Sequence, residues 1–193
     1  MSPYRHLILQ ASPRGAAALA QACLKAEGAA GSLFGVFTSQ IGLPARQVVV
    51  ISRGEAGPAA DGAEIVRDEA WVADPRPFDD ETLPETDGVF SHRWFDLADA
   101  DWPRFRELSV TAWDNFEGAH ATRVIGFWRA LNPPAPGQTR VWLMAWYASL
   151  AAWEGSRFYL DADNPRSAQA YANFRARQEI TVDTGVSLLR RVT

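Results

Sequence analysis

Val124-Ile125-Gly126-Phe127-Trp128 and Leu33-Phe34-Gly35-Val36-Phe37 are two five-residue apolar runs with glycine at the centre of each, and their alignment decides the fold. Glycine inside an otherwise β-prone run marks a bulge or a close approach rather than a helix. Each run is followed by a turn segment, Gly42-Leu43-Pro44 or Pro133-Pro134-Ala135-Pro136-Gly137. A second apolar run comes next in each case, Val48-Val49-Val50-Ile51 or Val141-Trp142-Leu143-Met144-Ala145-Trp146. Two hairpins are expected.

Upstream of each hairpin the same two elements recur. The first half opens on Tyr4-Arg5-His6-Leu7-Ile8-Leu9 and the second on Val89-Phe90-Ser91-His92-Arg93-Trp94-Phe95, strand-like runs with a histidine at the same place. Ser12-Pro13 then introduces Ala16, Leu19, Ala20, Cys23 and Leu24 at helical spacing before Gly28. Asp101-Trp102-Pro103 introduces Phe105, Leu108, Ala112 and Phe116 before Gly118. Proline in an opening turn and apolar residues at three- and four-residue steps specify an amphipathic helix. The order β-α-β-β occurs twice, and one more helix and strand completes the split β-α-β of a ferredoxin-like unit.

The halves diverge after that point. In the second, Ser149 to Tyr159 reads as helix, Asn164-Pro165 begins another through Arg175, and Gly185 to Leu189 supplies the last strand. The first has only Gly62 to Trp71, enough for a short helix and a short strand at Ala70-Trp71-Val72. Between the halves, prolines alternate with acids from Asp74 to Asp87, which excludes regular structure and reads as a solvated connector. The organisation is therefore a reduced half at 1–73, a connector at 74–87 and a complete half at 88–193. The fold class is α+β, tandem ferredoxin-like repeats with antiparallel sheets. Because one chain supplies two sheets, a homodimer is optional.

Composition bounds the function. Of 193 residues, 47% are hydrophobic and 22% charged, and the net charge is −4. These values suit a chain with a real core and give no general attraction to nucleic acid or anionic membrane. The N-terminus lacks a basic region followed by an apolar run, so a cytoplasmic protein is expected. The single cysteine, Cys23, lies in the apolar stripe of the first helix and reads as a buried thiol. No phosphate-binding loop, nucleophile elbow, His-Glu-x-x-His or paired cysteine motif occurs. His6, His92 and His120 are too dispersed for metal-ligand spacing, so no metal and no cofactor is assigned.

The stretch Thr122 to Arg129, with Val141 to Tyr147 and then Ser149-Leu150-Ala151-Ala152-Trp153-Glu154, resembles the NIPSNAP family over residues 88 to 193. The resemblance implies a dimeric α/β-barrel fold in which two sheets pack face to face. It carries no catalytic signature and so no active-site residue. Its superfamily includes cofactor-free oxygenases, isomerases, haem-handling proteins and proteins with no known chemistry, so fold alone does not choose.

Two constellations could carry chemistry. Strand alternation puts His92 on one face with Phe90, Trp94 and Asp96, where an imidazole against an apolar wall could serve as a base toward an activated carbon acid. Trp94, Trp128, Trp142, Met144 and Trp146 fall on three strands of one sheet, an aromatic surface suited to a flat apolar ligand, with Arg123 and Arg129 bracketing the glycine strand to hold a carboxylate. Core packing or a dimer interface explains the same residues without a ligand. Glu154 and Arg157, three apart on a helix, are expected to pair. Three readings follow: a small-molecule-binding or interaction protein without demonstrable catalysis, a cofactor-independent oxygenase or isomerase acting on an aromatic or polyketide-like substrate with His92 as base, and a haem or porphyrin binder.

Overall fold

The structure is a computed structural model that describes residues 3–26, 33–54, 63–78, 82–157 and 165–193. The described residues form eight strands, β1 (Pro3–Gln10), β2 (Leu33–Ile41), β3 (Gln47–Arg53), β4 (Glu64–Ala73), β5 (Val89–Ala98), β6 (Thr122–Ala130), β7 (Gln138–Tyr147) and β8 (Asp183–Arg191). The helices are α1 (Ala16–Lys25), α2 (Trp102–Ala119), α3 (Leu150–Gly155) and α4 (Pro165–Glu179). The strands form one closed antiparallel barrel in the order β1-β3-β2-β8-β5-β7-β6-β4. Each half contributes four neighbours with the same internal order, β4-β1-β3-β2 and β8-β5-β7-β6. The halves meet where β2 pairs β8 and where β4 pairs β6. The two expected sheets thus join edge to edge in one chain, which leaves no open strand edge.

The glycines of the two decisive runs sit at equivalent irregularities. Pairing shifts register between Leu33 and Gly35 on β2 and between Val124 and Gly126 on β6. A Cβ on Gly126 would lie 1.9 Å from the Trp128 ring, and one on Gly35 would lie 2.8 Å from the Phe37 ring. Each glycine therefore lets the aromatic ring two residues on fold back into the barrel, a close approach that a bulge with glycine permits.

Alternation divides every strand into an inward and an outward face. Tyr4, Ile8, Phe37, Val49, Ile51, Trp71, Phe90, Trp128, Trp142, Met144 and Leu189 form one cluster that fills the barrel. Outside, α1 covers Leu7, Leu9, Val36, Val48 and Val50 with Ala20 and Cys23, so Cys23 is buried as expected. On the other side α2 lays Phe105 and Trp113 on Phe95, Leu97, Phe127 and Val141. Its stripe of Phe105, Leu108, Ala112 and Phe116 is buried throughout.

Two expectations are corrected. The stretch before Trp71 is not a short helix but part of the ten-residue strand β4, whose β-branched Ile65, Val66 and Val72 suit an extended chain that pairs along its length with β1. The connector is not simply solvated, because Leu83 is only 5% exposed and joins the barrel cluster, while Arg191 donates a hydrogen bond to the Pro84 carbonyl. The predicted helix over 149–159 ends at Gly155, with Ser149 accepting a cap bond from Ala152 N. Gly28, Gly62, Tyr159 and Asn164 lie outside the described residues.

Candidate functional site

The aromatic face expected to hold a ligand is the inside of the barrel, and that interior is filled. His6 and His92 face one another with ring centroids 6.2 Å apart. Trp142 packs against both, 3.8 Å from His6 and 5.4 Å from His92, and Phe37 closes on His92 at 5.0 Å. A void there measures about 10 Å³ and is lined by Tyr4, His6, Ile51, Trp71, Trp128 and Trp142. That is no more than the room for one water. His92 does not border it. Both nitrogens of each imidazole are buried without a hydrogen-bond partner among the described residues. Burial lowers the His92 pKa to about 3; burial, helped by His92 and Arg67, holds His6 well below its ordinary range. Both rings are neutral at physiological pH, and the geometry offers a substrate no room beside His92.

Phe90, Trp94, Trp128, Trp142, Met144 and Trp146 all belong to this interior cluster or pack against it. Arg123 and Arg129 do not join them. Both are exposed, and the Arg129 guanidinium lies over the Trp102 ring at 5.5 Å.

A cleft of about 260 Å³ opens instead on the opposite face of the same strands, between the second half's sheet and helices α2, α3 and α4. Alternation builds its floor: Ser91, Arg93 and Phe95 on β5, Leu143, Ala145 and Tyr147 on β7, Thr184 and Val186 on β8. Trp113 and Phe116 reach it from α2. From α4 come Tyr171, Phe174 and Gln178, whose three- and four-residue spacing puts them on one side of the helix. Trp153 and Arg157 close it from α3 and the residues after it.

Three arginines enter this aromatic enclosure, and no carboxylate occurs among its described lining residues. Arg177 is buried, its guanidinium 4.6 Å from the Phe95 ring, 4.8 Å from Phe174 and 5.3 Å from Phe105, and Nη1 donates to Ser109 Oγ at 3.1 Å. Burial first and Arg93 second lower its pKa to about 9. Arg93 is lowered by burial and then by Arg157. Arg157 does not take the expected ion pair with Glu154. Its Nε donates to the Trp153 carbonyl at 3.2 Å, its Nη2 to Ser156 Oγ at 2.9 Å, and its guanidinium lies 4.8 Å from the Trp153 ring.

The cleft wall also carries a phenol backed by an imidazole. Tyr171 donates its hydroxyl hydrogen to the Ser156 carbonyl at 3.0 Å, and His120 Nε2 lies 3.0 Å from the Tyr171 hydroxyl oxygen. No group of three or more metal-ligating side chains occurs among the described residues. None of the described helices is long and apolar enough to cross a membrane.

No family model matches the chain, and no curated protein matches it by sequence. Solved structures do match its fold over nearly the whole length. A protein from Lactobacillus acidophilus, provisionally named a monooxygenase, superposes with a TM-score of 0.58 at 11% identity, covering 100% of this chain and 95% of that one. An anthrone oxidase-like protein gives 0.55 at 10% identity, covering 100% and 92%. A ferredoxin-fold protein from Listeria monocytogenes, described as related to antibiotic biosynthesis monooxygenases, gives 0.52 at 10% identity, covering 100% and 96%. The chain therefore has the α+β architecture of the dimeric α/β barrels, with the barrel closed inside one chain.

Proposed function

We propose that this is a NIPSNAP-like small-molecule-binding protein whose ligand occupies the cleft between the second half's sheet and α2, α3 and α4. The supporting observation is the cleft itself, about 260 Å³ with an aromatic and aliphatic lining, close to the lower end of the roughly 300–1,000 Å³ usual for small-molecule sites. Its size suits a ligand of one or two rings. The barrel interior, by contrast, is a packed core of the kind that fills a small barrel.

The test is calorimetric titration with the neutral bicyclic probe 2-naphthamide. Binding to the wild type is expected, with loss of at least tenfold in affinity in Val186→Phe, which adds a ring to the cleft floor. Binding that Val186→Phe leaves unchanged would refute this assignment of the site.

A second reading, an oxygenase or isomerase of an aromatic substrate, draws support from the descriptions of the solved neighbours and from one contact, the His120–Tyr171 pair on the cleft wall. In that reading the proton-moving group open to a ligand is Tyr171, with His120 behind it, whereas His92 as base would require the barrel to open. Haem binding finds no histidine among the described lining residues of the cleft: His6 and His92 are inside the barrel, and His120 sits against the Tyr171 hydroxyl.

A further inference from the structure

The cleft holds an electrostatic imbalance that apolar packing does not explain. Arg93, Arg157 and Arg177 reach one enclosure from β5, from the end of α3 and from α4, positions distant in sequence and brought together only by the fold. Bringing three guanidiniums into a common apolar space costs desolvation and mutual repulsion, and proteins normally offset such a cost with a carboxylate. Elsewhere this chain does so: Arg140 holds Asp96 through two bonds of 2.7 and 2.6 Å, and Arg76 holds Glu117 at 2.6 Å. In the cleft no described carboxylate lies among the lining residues. What the three arginines have instead is one serine hydroxyl for Arg177, a carbonyl and a hydroxyl for Arg157, and the faces of aromatic rings. Ring faces and hydroxyls soften the burial of a cation without cancelling its charge. Among the described residues these bonds occupy only part of the planar donor forks, and such a fork matches a carboxylate or another oxyanion.

We infer that the ligand of this cleft is an organic anion, a molecule of one or two rings whose carboxylate or equivalent oxyanion is held by Arg93, Arg157 and Arg177 while its ring packs against Trp113, Trp153 and Phe174. This rests on the reading of the cleft as a small-molecule site and adds the charge of the ligand. Anion binding would relieve the arginine repulsion, so the site selects for charge as well as for shape. The depressed pKa values of Arg93 and Arg177 have the same origin, desolvation and neighbouring cations.

The experiment compares 2-naphthoate with 2-naphthamide, two probes of one shape that differ in charge, by calorimetric titration at fixed ionic strength. The wild type is expected to bind 2-naphthoate at least tenfold more tightly than 2-naphthamide. In Arg93→Gln and in Arg157→Gln, substitutions at half-buried positions that spare the buried Arg177, that preference should shrink at least threefold. Equal affinity of the two probes in the wild type would overturn the inference and leave the cleft reading intact. So would a preference that survives both substitutions. Binding of both probes that Val186→Phe leaves unaffected would overturn the inference together with the cleft reading.

Discussion

Mild acid should destabilise this protein through its two barrel histidines. His6 and His92 are each 3% exposed, and neither ring has a described partner that would welcome a proton. The folded-state pKa of His92 is about 3 and that of His6 is well below the ordinary 6.5, whereas in the unfolded chain both return to about 6.5. Below pH 6.5 the unfolded state thus binds protons that the folded state refuses, and stability falls as pH falls toward the folded values. At pH 5 the loss is RT ln(1 + 10^1.5), about 2 kcal/mol for each histidine and about 4 kcal/mol for the pair. Against a total of roughly 5–15 kcal/mol for a domain, that is a large fraction. Glu69, which pairs across from His6, works in the opposite direction because burial raises its pKa, so the raw slope alone is not decisive. The decisive comparison is with His6→Leu/His92→Leu, which removes both imidazoles and keeps Glu69. Leucine fills a similar volume without buried polar atoms, so the variant is expected within about 2 kcal/mol of wild type at pH 7.5. Urea unfolding at pH 7.5 and 5.0 should show the wild type losing about 4 kcal/mol more than the variant over that interval. Equal losses would refute the reasoning and mean that the barrel centre admits water or a proton acceptor.

Three further outcomes are expected from urea denaturation at neutral pH. Gly126→Ala should cost about 3 kcal/mol, because its Cβ would meet the buried Trp128 ring at 1.9 Å, while Gly155→Ala, with nothing within 4 Å, should stay within about 0.5 kcal/mol of wild type. Arg76→Ala should cost about 2 kcal/mol, since Nη1 donates both to Glu117 Oε1 at 2.6 Å and to the Val124 carbonyl at 2.8 Å, tying the segment after β4 to α2 and β6. Leu83→Ala should cost about 3 kcal/mol if the connector is part of the barrel core, and less than about 0.5 kcal/mol if Leu83 is a surface residue.

Local pattern carried most of the fold. Glycine-centred runs, proline-led helix starts and turn segments between apolar runs are decided by residues close in sequence, and they located β1 to β3, β5 to β8, α1 and α2. The strand over Glu64–Ala73 is obscured because six of its ten residues are charged or alanine, and its extended form depends on pairing with β1 and β6. Leu83 was hidden for a related reason, since a lone leucine among prolines and acids has no periodicity to reveal its burial. At the site, alternation correctly grouped Phe90, His92 and Trp94 on one face but could not say which face of β5 turns into the closed barrel. The aromatic residues Phe90 and Trp94 lie on the inward side, whereas the open space lies on the face of Ser91, Arg93 and Phe95. One local signal was available. Arg177 follows Ala170 and Phe174 at four- and three-residue steps, a cation on the apolar stripe of α4. Its meeting with Arg93 and Arg157 depends on tertiary structure alone.

The two four-strand sets of the barrel can be compared position by position on the face that carries the cleft. His6 and His92 occupy matching positions, so the next residue on each strand, Leu7 or Arg93, points outward toward the helices. In the first half Leu7 is buried with Ala20 and Cys23 of α1, and that face is a core. In the second half the matching residue is a cation in an enclosure roofed by three helices, and the face stays open. Arg93→Leu therefore installs at the second position what the first already tolerates. It should preserve folding and raise stability, because it removes a desolvated charge repelled by its neighbours. It should also shrink the preference for 2-naphthoate over 2-naphthamide at least threefold, measured by titration beside a urea transition. A variant that unfolds would show that Arg93 is a structural support with a partner in the fold, and a variant that keeps the preference would show that Arg157 and Arg177 suffice to hold the anion.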